Sequence, residues 1–275
     1  PYMHIFLNAG GGNVLAFFEL PNQPEMGRDA NTPTWVQHLA FEVPDLHKIL
    51  ASQSAGTIGG VLATNASGPR RLTAGAARDY LLGFDAISGR GERFKSGGKM
   101  MKNVTGYDLS KLICGSYGTL AIFDEVTLKT LPKPETNISL LFPCDDITAA
   151  VARIAGIFAS PHEPNAAAIL PQAIAAKAGI DVAGAMLAII RLEGIDVSVA
   201  DRAAHLLAAH KEGVMIDTNA STTLWQKIRD VDLLVDTDGD IWILSCAPAS
   251  APAIIATLLD RFDMQFFADW AGGLL

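Results

Sequence analysis

Residues 56–83 read GTIGGVLATNASGPRRLTAGAARDYLLG, a run that gathers glycines, an asparagine, two adjacent arginines and an Arg-Asp pair into one polar-rimmed loop system. Glycine has no Cβ and tolerates positive φ, so successive N–H groups at Gly56, Gly59 and Gly60 can converge on a phosphate oxygen as an anion-binding nest. The same residues also suit a tight turn entering a small-residue helix over 61–66. A second block favours the cradle. Residues 99–134, KMMKNVTGYDLSKLICGSYGTLAIFDEVTLKTLPKP, predict a short helix capped by Asp108, a stop at Gly115 and a glycine loop at Gly118 that feeds a strand over 125–131.

In order along the chain, GTIGG, SGPRR, ARD, KNVTGYDLSKL, GSYGTL and the closing DWAGGL resemble the FAD-linked oxidases that share the vanillyl-alcohol-oxidase, or PCMH, type of FAD domain. The resemblance is greatest to the flavin-binding subunits of bacterial glycolate oxidase and runs from about residue 51 to the C-terminus. It implies amides of Gly56, Thr57, Gly59 and Gly60 on the FAD pyrophosphate. Gly118, Thr119 and Ile122 then contact the rest of the cofactor, and Asn65, Gly68 and Asp79 line the same loops. Two departures stand out: Ala121 where the family usually has glycine, and Tyr117 where an acidic or aliphatic residue is common. No histidine lies in a flavin-linking context, so non-covalent FAD is expected.

Composition bounds the alternatives. At 275 residues the chain can hold two ordinary domains, and 49% hydrophobic against 18% charged residues indicates a globular protein. A net charge of -8 argues against nucleic acid, since phosphate binding needs a concentrated basic surface and SGPRR is the lone basic knot. Cys114, Cys144 and Cys246 stand far apart with no C-x-x-C, which excludes an iron–sulfur or zinc motif and fits reduced thiols in a cytoplasmic protein. No apolar run reaches the roughly twenty residues of a membrane span. The chain starts at Pro1 without methionine, which suggests a fragment or processed form.

Residues 4–20, HIFLNAGGGNVLAFFEL, predict a hairpin, followed by a polar loop, a strand over 35–43 and a short helix opened by Pro44 and Asp45. Over residues 1–50 this order resembles the vicinal-oxygen-chelate superfamily of glyoxalases and dioxygenases, whose metal ligands would correspond to Glu19 and His38. Two donors fall short of the three a metal site needs, and both residues also suit strand ends. The segment LAFEVPDL, residues 39–46, fits both families, which suggests a fusion joined there and an FAD domain lacking its N-terminal half.

Pro132 and Pro134 mark a boundary. Beyond it, strands are expected over 137–142, 186–193, 213–217, 240–246 and 265–269, with helices over 147–158, 197–211, 224–230 and 252–262. That order suits a two-layer, ferredoxin-like α+β sheet. The expected organisation is therefore α+β throughout: a β-rich fragment over 1–50, a partial PCMH-type FAD-binding domain over 51–134, and a cap or substrate domain over 135–275. In relatives the last caps the flavin, which points to Arg191 and Glu193 in RLEG, Trp225 and Arg229 in WQKIRD, and Trp270 as substrate contacts. An arginine can grip a carboxylate bidentately, while Arg191 and Glu193 also suit a strand-edge ion pair and the tryptophans a core. No histidine stands in a base motif.

The resemblance implies an FAD-dependent oxidoreductase acting on a small 2-hydroxy acid, working with a second flavin subunit and an iron–sulfur subunit in the cytoplasm or at the inner membrane face. The other readings are a metal-dependent vicinal-oxygen-chelate enzyme fused to a flavin remnant, and a non-catalytic subunit with an incomplete flavin pocket.

Overall fold

The computed structural model describes residues 4–10, 13–18, 57–98, 106–181, 184–235 and 240–275. Gly56, Glu19 and His38 lie outside them, as do the predicted strand over 35–43 and the helix after Pro44. The chain divides into two compact units, Pro1–Ser67 with Gly75–Leu131, and Gly68–Ala74 with Pro132–Leu275.

In the first unit, β1 (His4–Gly10) and β2 (Asn13–Phe18) form the expected antiparallel hairpin. Helix α1 (Ile58–Thr64) begins three residues earlier than predicted, because Thr57 caps it: the Thr57 side chain accepts from the Gly60 N–H at 3.2 Å. A turn of helix, α2 (Arg71–Ala74), is counted with the second unit. Strands β3 (Leu81–Ser88) and β4 (Arg93–Gly97), helix α3 (Leu109–Ile113) and strand β5 (Ala121–Leu128) complete the first unit in a sheet ordered β4-β3-β5. Asp108 caps α3 as expected, accepting from the Lys111 N–H. Leu62, Phe84, Ile113 and Phe123 form the core, with Phe84 edge-on to both Phe94 and Phe123. β5 starts four residues before the predicted strand and stops before Leu131. Ala121 sits buried at its first position in ordinary extended pairing, so glycine is not required there.

The second unit runs β6 (Thr136–Cys144), α4 (Ile147–Phe158), β7 (Ala166–Pro171), α5 (Gln172–Lys177), β8 (Met186–Gly194), α6 (Asp196–Ala209), β9 (Val214–Ile216), α7 (Thr218–Arg229) and α8 (Ala251–Leu259). Its antiparallel sheet has the order β7-β8-β6-β9. One face packs under α4 and α6 through Leu140, Phe142, Ile190 and Leu192. The opposite face packs under α5 and α7 through Leu141, Ile189, Leu224 and Trp225. The expected two layers are therefore three, because β6 and β8 are apolar on both faces and each face must be covered.

The strand β7 is not visible in the sequence. Its AAAILP run is buried on both sides, so it lacks the two-residue alternation that marks a strand, and alanine is a poor strand former. α7 begins at Thr218 rather than 224, with Asp217 accepting from the Asn219 and Ala220 N–H groups. Residues 240–246 are not a strand. Leu244 and Cys246 hydrogen-bond to Leu275 and Gly273, while Trp242 is 78% exposed, so the segment lacks the packed face a strand needs. The predicted final strand reduces to isolated bridges, Ile169 with Ala268 and Asp269 with Leu274.

Candidate functional site

In the first unit, three loops are tied around the end of α1. Asn65 takes a left-handed conformation (φ 50°) as its C-cap, and its side-chain oxygen accepts from the Arg78 N–H at 3.0 Å. Gly115 donates its N–H to Leu62 O at 2.9 Å and Tyr117 donates to Ala63 O at 2.8 Å, which lays the GSYG loop along the helix. Positive φ at Gly115, Tyr117 and Gly118 gives that loop its shape. A Cβ on Gly115 would stand 3.1 Å from the Asn65 Cβ, so both close approach and backbone require glycine there. Asp79 closes the set. Its carboxylate accepts from the Ala76 N–H at 2.7 Å and pairs with Lys111 at 3.4 Å, and the Ala76 hydrogen bond holds its pKa below the usual carboxylate value.

These contacts change the reading of the individual residues. Gly59 and Gly60 do not form a positive-φ nest; they sit in the first turn of α1, where helix geometry rather than glycine conformation directs the backbone N–H groups. Gly60 N–H is taken by Thr57. Asn65 and Asp79 hold loops together. Thr119 is exposed with its hydroxyl on Ser116 O, and Ile122 lies in β5 opposite Ile87. Ser116 was not singled out from sequence, yet its hydroxyl is buried with no hydrogen-bond partner inside the loop. A buried hydroxyl lacking a partner calls for a group to complete it, so the loop fits a polar cofactor. Cys114 donates to Leu62 O at 3.0 Å, and burial pushes its thiol up to about 11, which makes it a structural thiol rather than a nucleophile.

Gly68 falls in the second unit, where its carbonyl accepts from the Trp270 indole at 3.1 Å. The Arg71 guanidinium lies over the same indole at 5.5 Å. Glu193, with a side chain 3% exposed, meets Arg191 at 2.7 Å and Arg70 at 2.9 Å, the latter without hydrogen-bond alignment. Arg191 also lies 5.8 Å from the Trp225 ring, whose N–H donates to Ser139 Oγ at 2.7 Å. Burial lowers the Arg191 pKa, Glu193 opposes that and Arg70 adds to it. Arg229 is gripped twice by Asp230, which raises its pKa and leaves its fork engaged within its own helix end. The only signal for Arg70 in sequence was the SGPRR knot itself.

Residues 46–97 match the family described as FAD binding domain. Over 219 residues the chain is 33% identical to glycolate oxidase subunit GlcE of Escherichia coli (strain K12), a match covering 79% of this chain and 54% of that protein. Over most of its length the chain is similar to a glycolate oxidase subunit. It is also 39% identical over 122 residues to glycolate oxidase subunit GlcD of Bacillus subtilis (strain 168), covering 44% of the chain and 26% of GlcD. To a D-lactate dehydrogenase of Anaerostipes hadrus it is 38% identical over 110 residues, 40% of the chain and 23% of that protein. It thus spans about half of GlcE and about a quarter of the other two. Among solved structures, an alkyldihydroxyacetonephosphate synthase superposes with a TM-score of 0.50 at 20% identity, over 72% of this chain and 41% of that one, a likeness of fold. The FAD binding domain match supports FAD as the cofactor.

Among the described residues no helix is long and apolar enough to cross a membrane, and no cluster of three metal-ligating side chains occurs.

Proposed function

We propose that the chain is the FAD-binding part of a subunit of a 2-hydroxy-acid oxidoreductase of the glycolate oxidase kind, passing electrons to an iron–sulfur partner beside a second flavin subunit. The observation that carries this reading is the coincidence of the FAD binding domain match with the α1 and GSYG loop assembly, where Ser116 lacks a partner. The residues that would hold FAD are Thr57, Gly59 and Gly60 at the start of α1 and Gly118, Thr119 and Ile122 after the GSYG turn, with Gly56 from the flanking sequence. Bound flavin supplies a hydride acceptor for the substrate Cα. The chain's own contribution is positional: Asn65 and Asp79 keep the loops in register, and buried Leu62, Ile113 and Phe123 exclude water beneath them. A substrate role for Arg191 and Arg229 belongs to the same proposal, as does a ferredoxin-like second unit, which the antiparallel sheet order β7-β8-β6-β9 supports, with α5 inserted between β7 and β8. A cytoplasmic location, with attachment to the inner membrane through partners, completes it.

The test is the visible spectrum of the purified chain before and after added FAD. Flavin bands that persist through gel filtration are expected; a colourless protein unresponsive to FAD refutes binding and favours a non-catalytic subunit. A separate reading of residues 1–50 as a vicinal-oxygen-chelate fragment rests on the β1–β2 hairpin. It requires that Glu19→Ala and His38→Ala lower bound metal.

A further inference from the structure

The chain carries eight more acidic than basic charges, yet its second unit concentrates arginines about one carboxylate. Arg70 and Arg191 both face the Glu193 side chain, Arg202 donates to the Glu193 carbonyl at 2.8 Å, and Arg71 flanks Arg70 on the Trp270 ring. Glu193 neutralises one of the two guanidiniums on its side chain, leaving a net positive charge in a half-buried place. Uncompensated charge there is costly.

The cluster is also short of hydrogen bonds. Arg191 Nε and Asn137 Oδ1 are buried without partners, and the Arg70 Nε–Glu193 Oε2 ion pair at 2.9 Å makes no aligned hydrogen bond, so four of the five buried side-chain atoms lacking a hydrogen bond among the described residues lie here. Sheet register explains the gathering: Asn137 stands opposite Glu193, and Ser139 opposite Arg191, on the β6–β8 face that turns toward α7. The Arg70 side chain is 40% exposed, against 16% for Arg191 and 3% for Glu193, so the charge grades from solvent into the interior along one path.

We propose that the Arg70–Glu193–Arg191 cluster is a binding site for a small oxyanion, the carboxylate or phosphate group of a low-molecular-weight ligand. Two guanidinium donors receive its oxygens, and the anion supplies the missing negative charge. Glu193 holds both arginines in place, while its own charge limits how tightly the anion binds. The site deepens the substrate role proposed above for Arg191 and rests on that reading, while FAD retention is read separately.

Calorimetric titration of the purified chain at fixed ionic strength, with sodium glycolate and with inorganic phosphate as probes, tests it. Saturable binding of at least one probe is expected, and the one that binds identifies the source of the oxyanion. Arg191→Lys keeps the charge but loses the fork and weakens binding by about tenfold or more. Glu193→Gln tightens it, the opposite of what a purely structural ion pair predicts. Saturation by neither probe overturns the proposal, as does equal binding in Arg191→Lys and Arg70→Gln, or weaker binding in Glu193→Gln. Should Arg191→Lys fail to fold, Arg70→Gln, at the exposed end, carries the same reading. Flavin absorbance on the same samples reports FAD separately.

Discussion

At the scale of single residues, Asp269 is the group most displaced from its ordinary chemistry. Burial raises its carboxyl to about 7, only partly opposed by the Trp270 N–H that it accepts at 2.7 Å. The folded protein therefore keeps the proton that the unfolded chain releases near pH 4. Stability from this group is complete below the unfolded value and is lost as pH rises from about 4 to about 7, a change of a few kcal/mol. Melting temperature measured across that range should fall for the unaltered chain and flatten for Asp269→Asn. Gly115 offers a steric counterpart. With φ at 87° and the Asn65 Cβ 3.1 Å from where an added methyl would sit, Gly115→Ala should cost about 1–3 kcal/mol in urea unfolding and weaken FAD retention. The first of these residues was invisible in sequence, because DWAGGLL says nothing about which side chain is buried. The second was legible, since a glycine ending a capped apolar turn has few other uses.

Among elements, α7 shows how a helix is held to a sheet by polar groups as well as apolar ones. Ser139 and Ser221 hydroxyls meet at 2.8 Å, Trp225 donates to Ser139, and Thr136 meets Thr218 at 2.9 Å, so the β6–α7 interface carries a ladder of satisfied hydrogen bonds. Trp225→Phe keeps most of the ring volume and removes the donor. It should destabilise by about 1–3 kcal/mol, while Ser139→Ala combined with it should cost less than the sum of the two. Gly213 sets a tighter limit where the chain enters β9. A Cβ there would lie 2.4 Å from Phe142, so Gly213→Ala must displace a fully buried ring and should lower the unfolding midpoint by more than any surface substitution in β9. Helix α4 was readable to its exact ends because Asp146 caps a clean apolar stripe, whereas β7 was not, its alanines being selected by packing on both faces.

For the whole molecule, the two units have separate cores, which predicts two unfolding events. Trp225, Trp242 and Trp270 all belong to the second unit. In a Trp35→Phe background, tryptophan fluorescence then follows that unit alone, while far-ultraviolet circular dichroism follows both. Non-coincident denaturant transitions are expected, and a single superimposable curve would show that the units unfold as one.

Local chemistry was enough to determine much of this protein: the capped turn at Asp108, the helix over 147–158, the glycine loops, and the motif order that resembles the FAD-linked oxidases. These features act within a few residues, so their meaning survives without knowledge of the rest of the chain. Only the tertiary structure decided that both faces of the second sheet are covered, that Gly59 and Gly60 belong to a helix, and that Arg70 meets a glutamate 123 positions away. Contacts of that kind depend on which strands become neighbours, and strand pairing is set by the burial of whole faces rather than by any short run of residues.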